Sequence, residues 1–202
     1  MNRLSPEKDD EEEVIPPTPK IVEEVLFRKR HVLITGQIND RIAKITVERL
    51  LALSAENDSP INVFINSPGG HVESGDMIHD IIKFIKPVVR TIGSGWVASA
   101  GALIFVAAEF KSRFCLPNTR FLLHQPSGGF GGSASDIEIQ TNQIIKMRER
   151  FDRIFAEATG QTVERIAKDT ARDFWLTTDE ALKYGLLGTV IKSQDELESL
   201  PH

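Results

Sequence analysis

The chain has 202 residues, 41% hydrophobic and 26% charged, with 24 basic residues against 29 acidic ones and a net charge of -5. That suits one domain with a real core, and with no basic block it gives a nucleic-acid partner little support. The one cysteine, Cys115, excludes an intrachain disulfide framework and fits a reducing compartment.

Residues 1–20 are expected to form a solvated tail, because the acidic run Asp9 to Glu13 and the proline-rich Val14-Ile15-Pro16-Pro17-Thr18-Pro19 cannot bury a face. The start is too polar for a secretory signal. The longest apolar stretch, Ala100 to Ala108, falls well short of the roughly 20 residues that cross a membrane. A soluble, cytoplasmic protein is expected.

From Ile21 strands and helices alternate. Val32-Leu33-Ile34 reads as a strand, and Asn39 or Asp40 caps a helix to about Ala55. Ile61 to Ile65 is a buried strand, followed by the turn Asn66-Ser67-Pro68-Gly69-Gly70 and a helix from about Glu73 to Ile85, stopped by Pro87. Val88 to Ile92 is the next strand, and Gly93-Ser94-Gly95 leads to a helix of small residues from Ala98 to about Ala108.

Phe114-Cys115-Leu116 and Phe121-Leu122-Leu123 read as two further strands, followed by the glycine-rich Gly128 to Gly132. A long helix opens on a capping box of Ser135 and Glu138 and runs to about Thr159. A second box, Thr177 with Glu180, opens a short helix closed by Gly185. The alternation predicts an α/β fold with a mostly parallel sheet. The long helix spans more than a small domain needs, so it is expected to project toward a partner subunit.

A serine nucleophile needs an exposed hydroxyl, small neighbours and donors aimed at an oxyanion. Ser99, within Gly95-Trp96-Val97-Ala98-Ser99-Ala100-Gly101-Ala102, meets the sequence-level form of that demand, with the Ala100 N–H as one donor. The turn after the second strand offers Gly70 as the other. Tight helix packing and a plain Pro-Gly turn are the structural alternatives for these two segments. Among five histidines, His124 ends a strand and is the leading general base, whereas His71 and His79 show no obvious carboxylate at a useful spacing. For the acid, spacing leaves Asp169 and Asp173. The neighbours Phe174, Trp175 and Leu176 favour Asp173 by desolvating it. No metal or other cofactor is called for, since HExxH and paired cysteines are absent.

Taken in order, Ser67-Pro68-Gly69-Gly70, Ala98-Ser99-Ala100-Gly101, Phe114-Cys115-Leu116-Pro117-Asn118, His124-Gln125-Pro126 and Arg172-Asp173 resemble the Clp protease proteolytic subunit, from about Phe27 to Ile191. The resemblance implies a crotonase- and Clp-peptidase-like fold over residues 21–193. It also implies a projecting handle of strand and helix at about residues 125–160, with a C-terminal tail from residue 194. It implies that Ser99, His124 and Asp173 form a triad, with Gly70 and Ala100 as oxyanion donors. It further implies heptameric rings stacked into a tetradecamer and an AAA+ unfoldase that consumes ATP and delivers unfolded polypeptide. Asn62 stands where that family carries an aromatic residue of the docking pocket, which raises the question of a paralogous proteolytic subunit in the same ring. The rival readings are a crotonase-like acyl-CoA enzyme and a catalytically quiet regulatory paralogue.

Overall fold

The structure, a computed structural model, describes residues 18–126 and 131–200; the expected tail up to residue 17 and glycines 128 and 129 lie outside it. Among the described residues seven strands and eight α-helices follow one another as α1 (Lys20–Arg28), β1 (His31–Thr35), α2 (Asp40–Glu56), β2 (Ile61–Ser67), α3 (Val72–Phe84), β3 (Val89–Ala98), α4 (Ala100–Phe105), β4 (Arg113–Cys115), β5 (Arg120–Leu123), α5 (Ala134–Thr159), α6 (Val163–Asp169), β6 (Phe174–Leu176), α7 (Thr178–Tyr184), β7 (Thr189–Val190) and α8 (Gln194–Glu198).

The sheet runs β1-β2-β3-β4-β7, all parallel. A branch carries β5, parallel to β3, and β6, antiparallel to β5. The branch begins at a bulge in β3. Ile65 pairs with Gly93, but Ser67 pairs with Val97, so the chain between Gly93 and Val97 carries extra residues and bends the strand. Gly95 makes this possible: its φ is +71°, and a Cβ there would lie 3.0 Å from Asn66 Oδ1. Before the bulge β3 pairs with β4, and after it with β5.

The sequence reading ended this strand at Ile92 and began the next helix at Ala98. The structure extends β3 to Ala98 and confines α4 to Ala100–Phe105. The capping box of α5 also differs from expectation. It is formed by Ser133 and Asp136, two residues earlier than the predicted pair, and Gly132 at φ +143° is pressed against Asp136. The second box, Thr177 with Glu180, is present as expected.

The main core lies on one face of the sheet, where Val32, Ile34, Val63 and Ile65 meet Leu50 and Leu53 of α2, Ile78 of α3 and Leu103 of α4. A smaller cluster of Ile92, Phe114, Ile191 and Leu197 occupies part of the opposite face. Small residues let α4 approach α3 and the end of β2 closely: a Cβ on Gly75 would stand 3.1 Å from that of Ala100, and one on Gly101 would stand 3.2 Å from that of Ser67. Arg113 ties α4 to the end of α5, donating to the carbonyls of Val106, Ala108 and Ala158. Burial brings its pKa down to about 10. The part of α5 before Phe151 buries no residue, and Ile137, Ile139 and Ile145 are exposed along it. At 1.5 Å per residue that stretch extends roughly 25 Å.

Candidate active site

Three strand ends meet at one edge of the branch. Ser99 follows the last residue of β3 and precedes α4; its N–H donates to Leu122 O at 2.9 Å. His124 follows the last residue of β5, and Asp173 precedes the first residue of β6. The antiparallel register pairs Phe121 with Leu176, Leu122 with Trp175 and Leu123 with Phe174, so the next opposed pair is His124 and Asp173. Their closest atoms, Nδ1 and Oδ1, are 3.8 Å apart. The parallel pairing of Ala98 with Leu122 sets Ser99 beside the same strand end.

The backbone at Ser99 is strained, with φ +55° and ψ -121°, a conformation that an L-residue adopts at a cost of about 1–3 kcal/mol. A sharp strand-to-helix turn of this kind lifts a hydroxyl clear of the strand and aims the first N–H groups of the helix at whatever binds beside it. The N–H groups of Ala100 and Gly70 donate to no backbone carbonyl outside regular structure among the described residues.

Gly70 is pinned from behind. Ile38 N–H donates to Gly69 O at 2.8 Å and His71 N–H to Ile38 O at 2.9 Å, while a Cβ on Gly70 would fall 2.2 Å from Ile38 O. Ser67, fully buried, shapes the turn by donating from Oγ to Gly36 O at 2.7 Å and accepting from Gly69 N–H at 3.0 Å. Gly69, which the sequence did not single out, is the residue in contact with Ser99: a Cβ there would stand 2.5 Å from Ser99 Cβ and 3.1 Å from its Oγ. Two polar turns thus face each other with only hydrogen atoms between them.

The two candidate acids separate on hydrogen bonding. Asp169 Oδ2 accepts from Arg165 Nε at 2.6 Å and from Tyr184 Oη at 2.9 Å, tying α6 to α7. Asp173 has no such duty. The expected desolvation of Asp173 is not observed: its side chain is 67% exposed, against 29% for His124. Residues alternate along β6, so Leu176 turns into the core while Trp175 turns outward. The register, not an apolar wrapping, sets Asp173 against His124. The Ser99 hydroxyl makes no hydrogen bond among the described residues, and catalytic contacts of this kind tighten when substrate binds.

The other described histidines, His31, His71 and His79, are occupied. His71, contrary to expectation, does have carboxylates, Asp40 at 3.1 Å and Glu73 at 3.1 Å, and its Nδ1 also lies 2.8 Å from the Ser74 hydroxyl. This second Ser–His–Asp trio has the wrong wiring for a nucleophile. The buried Ser74 donates its proton to Asp40 at 2.6 Å, and the set joins the first turns of α2 and α3. Its hydrogen bonds from Ser74 and His71 hold Asp40 below the usual carboxylate range. His79 also has a carboxylate, with its Nδ1 at 3.1 Å from Asp80. His31 lies against Asn62 and Phe64, and burial pushes its pKa down. Asn62 itself is only 9% exposed, on the sheet face away from the main core. Cys115 is buried, which pushes its thiol up to about 12. Among the described residues no cluster of histidine, cysteine or carboxylates is placed to hold a metal ion, and no helix is long and apolar enough to cross a membrane.

The family model described as Clp protease matches residues 18–194. The chain is 65% identical over 170 residues to an ATP-dependent Clp protease proteolytic subunit of Paracoccus denitrificans, covering 84% of this chain and 85% of the relative. It is 57% identical over 191 residues to the ATP-dependent Clp protease proteolytic subunit 3 of Rhizobium etli, covering 95% of this chain and 98% of the relative. The solved structure of ClpP1 from Listeria monocytogenes superposes with a TM-score of 0.79 at 50% identity, over 87% of this chain and 99% of that one.

Proposed function

The chain belongs to the Clp protease family, and on that footing we propose how its own residues cleave a peptide bond. It is a serine peptidase, the proteolytic subunit of an ATP-dependent Clp protease, which sets aside the acyl-CoA alternative. Ser99 Oγ attacks the scissile carbonyl carbon while His124 takes the hydroxyl proton. The carbonyl oxygen becomes an oxyanion held by the N–H groups of Gly70 and Ala100. The C–N bond then breaks, the leaving amine takes the proton from His124, and an acyl-enzyme remains on Ser99. Water, deprotonated by His124, releases the peptide and restores the serine. Asp173 accepts from His124 Nδ1–H, fixing the tautomer and stabilising the imidazolium.

The observation that carries this reading is the convergence of Ser99, on a strained turn beside the Gly69–Gly70 loop, with the opposed His124 and Asp173. The expected scope follows the family: copies assemble into heptameric rings, two of which stack into a tetradecamer, in the cytoplasm. An AAA+ unfoldase spends the ATP and feeds in unfolded chains, and a paralogous subunit shares the ring where docking requires it. The unburied stretch of α5 before Phe151 supports its use as the handle between rings. Residues 21–193 form the peptidase domain on this reading. Incubating the purified chain with an unfolded protein tests it. Short peptides should accumulate with the parent chain and not with Ser99→Ala, at equal particle mass in native mass measurements. Peptide release by Ser99→Ala at the parental rate overturns the assignment.

A further inference from the structure

An oxyanion donor is effective when its N–H is aimed before the substrate arrives. In a planar trans peptide the N–H points opposite to the carbonyl of the same unit. The Gly70 N–H shares its peptide plane with the Gly69 carbonyl, and among the described residues every peptide bond is trans. Gly69 O accepts from Ile38 N–H at 2.8 Å, so that hydrogen bond sets the Gly70 N–H pointing away from Ile38. The loop's own residues bias the plane only weakly. Gly69 and Gly70, at φ +97° and +147°, have no Cβ to oppose rotation of the peptide between them. Ser67 Oγ lies 3.5 Å from Gly69 O, and its proton goes to Gly36 O at 2.7 Å. A half-turn of that peptide would put the Gly69 carbonyl oxygen where the oxyanion forms.

The aim of the donor therefore depends on what fixes residues 36–40 against the loop. One end is stitched at Gly36, whose N–H donates to Asn66 O at 3.0 Å and whose carbonyl accepts from Ser67. The other end is stitched at Asp40, in the first turn of α2. Asp40 Oδ1 accepts from Ser74 Oγ at 2.6 Å, and His71 Nδ1 lies 3.1 Å from the same oxygen. His71 directly follows Gly70 and stands at the N-cap of α3, yet its side chain caps none of that helix's N–H groups. Ser74 is 3% exposed, a buried hydroxyl that needs a partner. The Asp40 side chain is 89% exposed, so hydrogen bonds rather than packing place it.

Resting on the oxyanion role proposed above for Gly70, we infer that Asp40 is a positioning residue for the reaction: through Ser74 and His71 it locks Ile38 against Gly69 and keeps the Gly70 N–H aimed at the developing oxyanion. Asp40 itself touches no reacting atom. The carbonyl oxygen gains its charge only on the way to the tetrahedral intermediate, so the effect belongs in kcat and not in KM.

Asp40→Ala and Asp40→Asn in the full chain test this, read by turnover of a short fluorogenic peptide and by inhibition with a peptide boronate. The tetrahedral adduct of a boronate on the serine places an oxygen in the oxyanion site. Asparagine keeps an oxygen to accept from Ser74, and alanine does not. In Asp40→Ala, kcat should fall by about tenfold at unchanged KM, short of the roughly 100–1,000-fold that removing an oxyanion donor costs, because the donor is still present but less often aimed. Boronate affinity should weaken by the same factor, a readout that lost stability alone would not move well below the melting temperature. Ser74→Ala should reproduce Asp40→Ala, and Asp40→Asn should recover most of both activities. Parental kcat and boronate affinity in Asp40→Ala overturn the inference; so does an asparagine variant as poor as alanine, or a change confined to KM. A boronate that binds Ser99→Ala as tightly as the parent overturns the nucleophile reading, and the role of Asp40 with it.

Discussion

Substituting Gly69 by alanine tests how the nucleophile is held. Two costs are separable there. At φ +97° an L-residue is strained by about 1–3 kcal/mol. The new methyl would also sit 2.5 Å from Ser99 Cβ and 3.0 Å from Ala98 O, about 1 Å inside normal carbon contact. Relieving that overlap must displace either the Ser99 turn or the oxyanion loop, at a further ~1–3 kcal/mol. A displacement of about 1 Å at reacting atoms costs on the order of 100-fold in rate. Gly160→Ala is the control: its φ is +73°, but nothing stands within 4 Å of the added methyl, so it carries backbone strain alone. Thermal melts and turnover of a short fluorogenic peptide should show both variants losing several degrees, at about 2–4 °C per kcal/mol. Only Gly69→Ala should lose kcat, by about 100-fold or more. A Gly69→Ala protein with parental turnover and melting temperature would refute the close packing of the two turns.

Asp173→Asn should reduce turnover by about 10³–10⁴-fold with little loss of stability, whereas Asp169→Asn should lower the melting temperature by freeing Tyr184 and Arg165; the reverse pattern in kinetics and melts would move the acid to Asp169. Replacing Ile144 and Ile145 on the unburied stretch of α5 with glutamate should yield half-size particles by native mass, and a full-size, active variant would remove that helix from the ring-to-ring contact. Asp136 and Glu180 are held below the usual carboxylate range by their capping-box hydrogen bonds, as is Asp40 by those from Ser74 and His71. Their depressed folded-state pKa values contribute stability at neutral pH that is lost as pH falls through them, below about 4. Melting temperature should therefore drop on acidification, and less steeply in a Ser133→Ala, Thr177→Ala double variant; an equal slope would contradict the assignment.

Much of the fold was legible because it is written locally. The β1 and β2 apolar runs, the Asn39 cap and the Thr177–Glu180 box each announce an element within a few residues. The failures came where long-range pairing decides. β6 is three residues long, too short for its alternation to be seen, so Phe174, Trp175 and Leu176 read as a shell around Asp173 rather than as a strand with one residue facing out. The choice between Asp169 and Asp173 likewise turns on the β5–β6 register and on Tyr184, fifteen residues downstream of Asp169. The end of β3 was placed too early because Gly93-Ser94-Gly95 looks like a strand stop, while here it opens a bulge opposite Asn66, whose Oδ1 accepts from Trp96 N–H. Gly69 carried a signal in its Pro-Gly context, but its contact with Ser99 joins segments thirty residues apart.

The central claim is that Ser99 is the nucleophile, and labelling with a fluorophosphonate probe followed by peptide mapping tests it most directly. A single adduct on Ser99 is predicted, with none in Ser99→Ala. An adduct on any other serine, or labelling that survives Ser99→Ala, would contradict it.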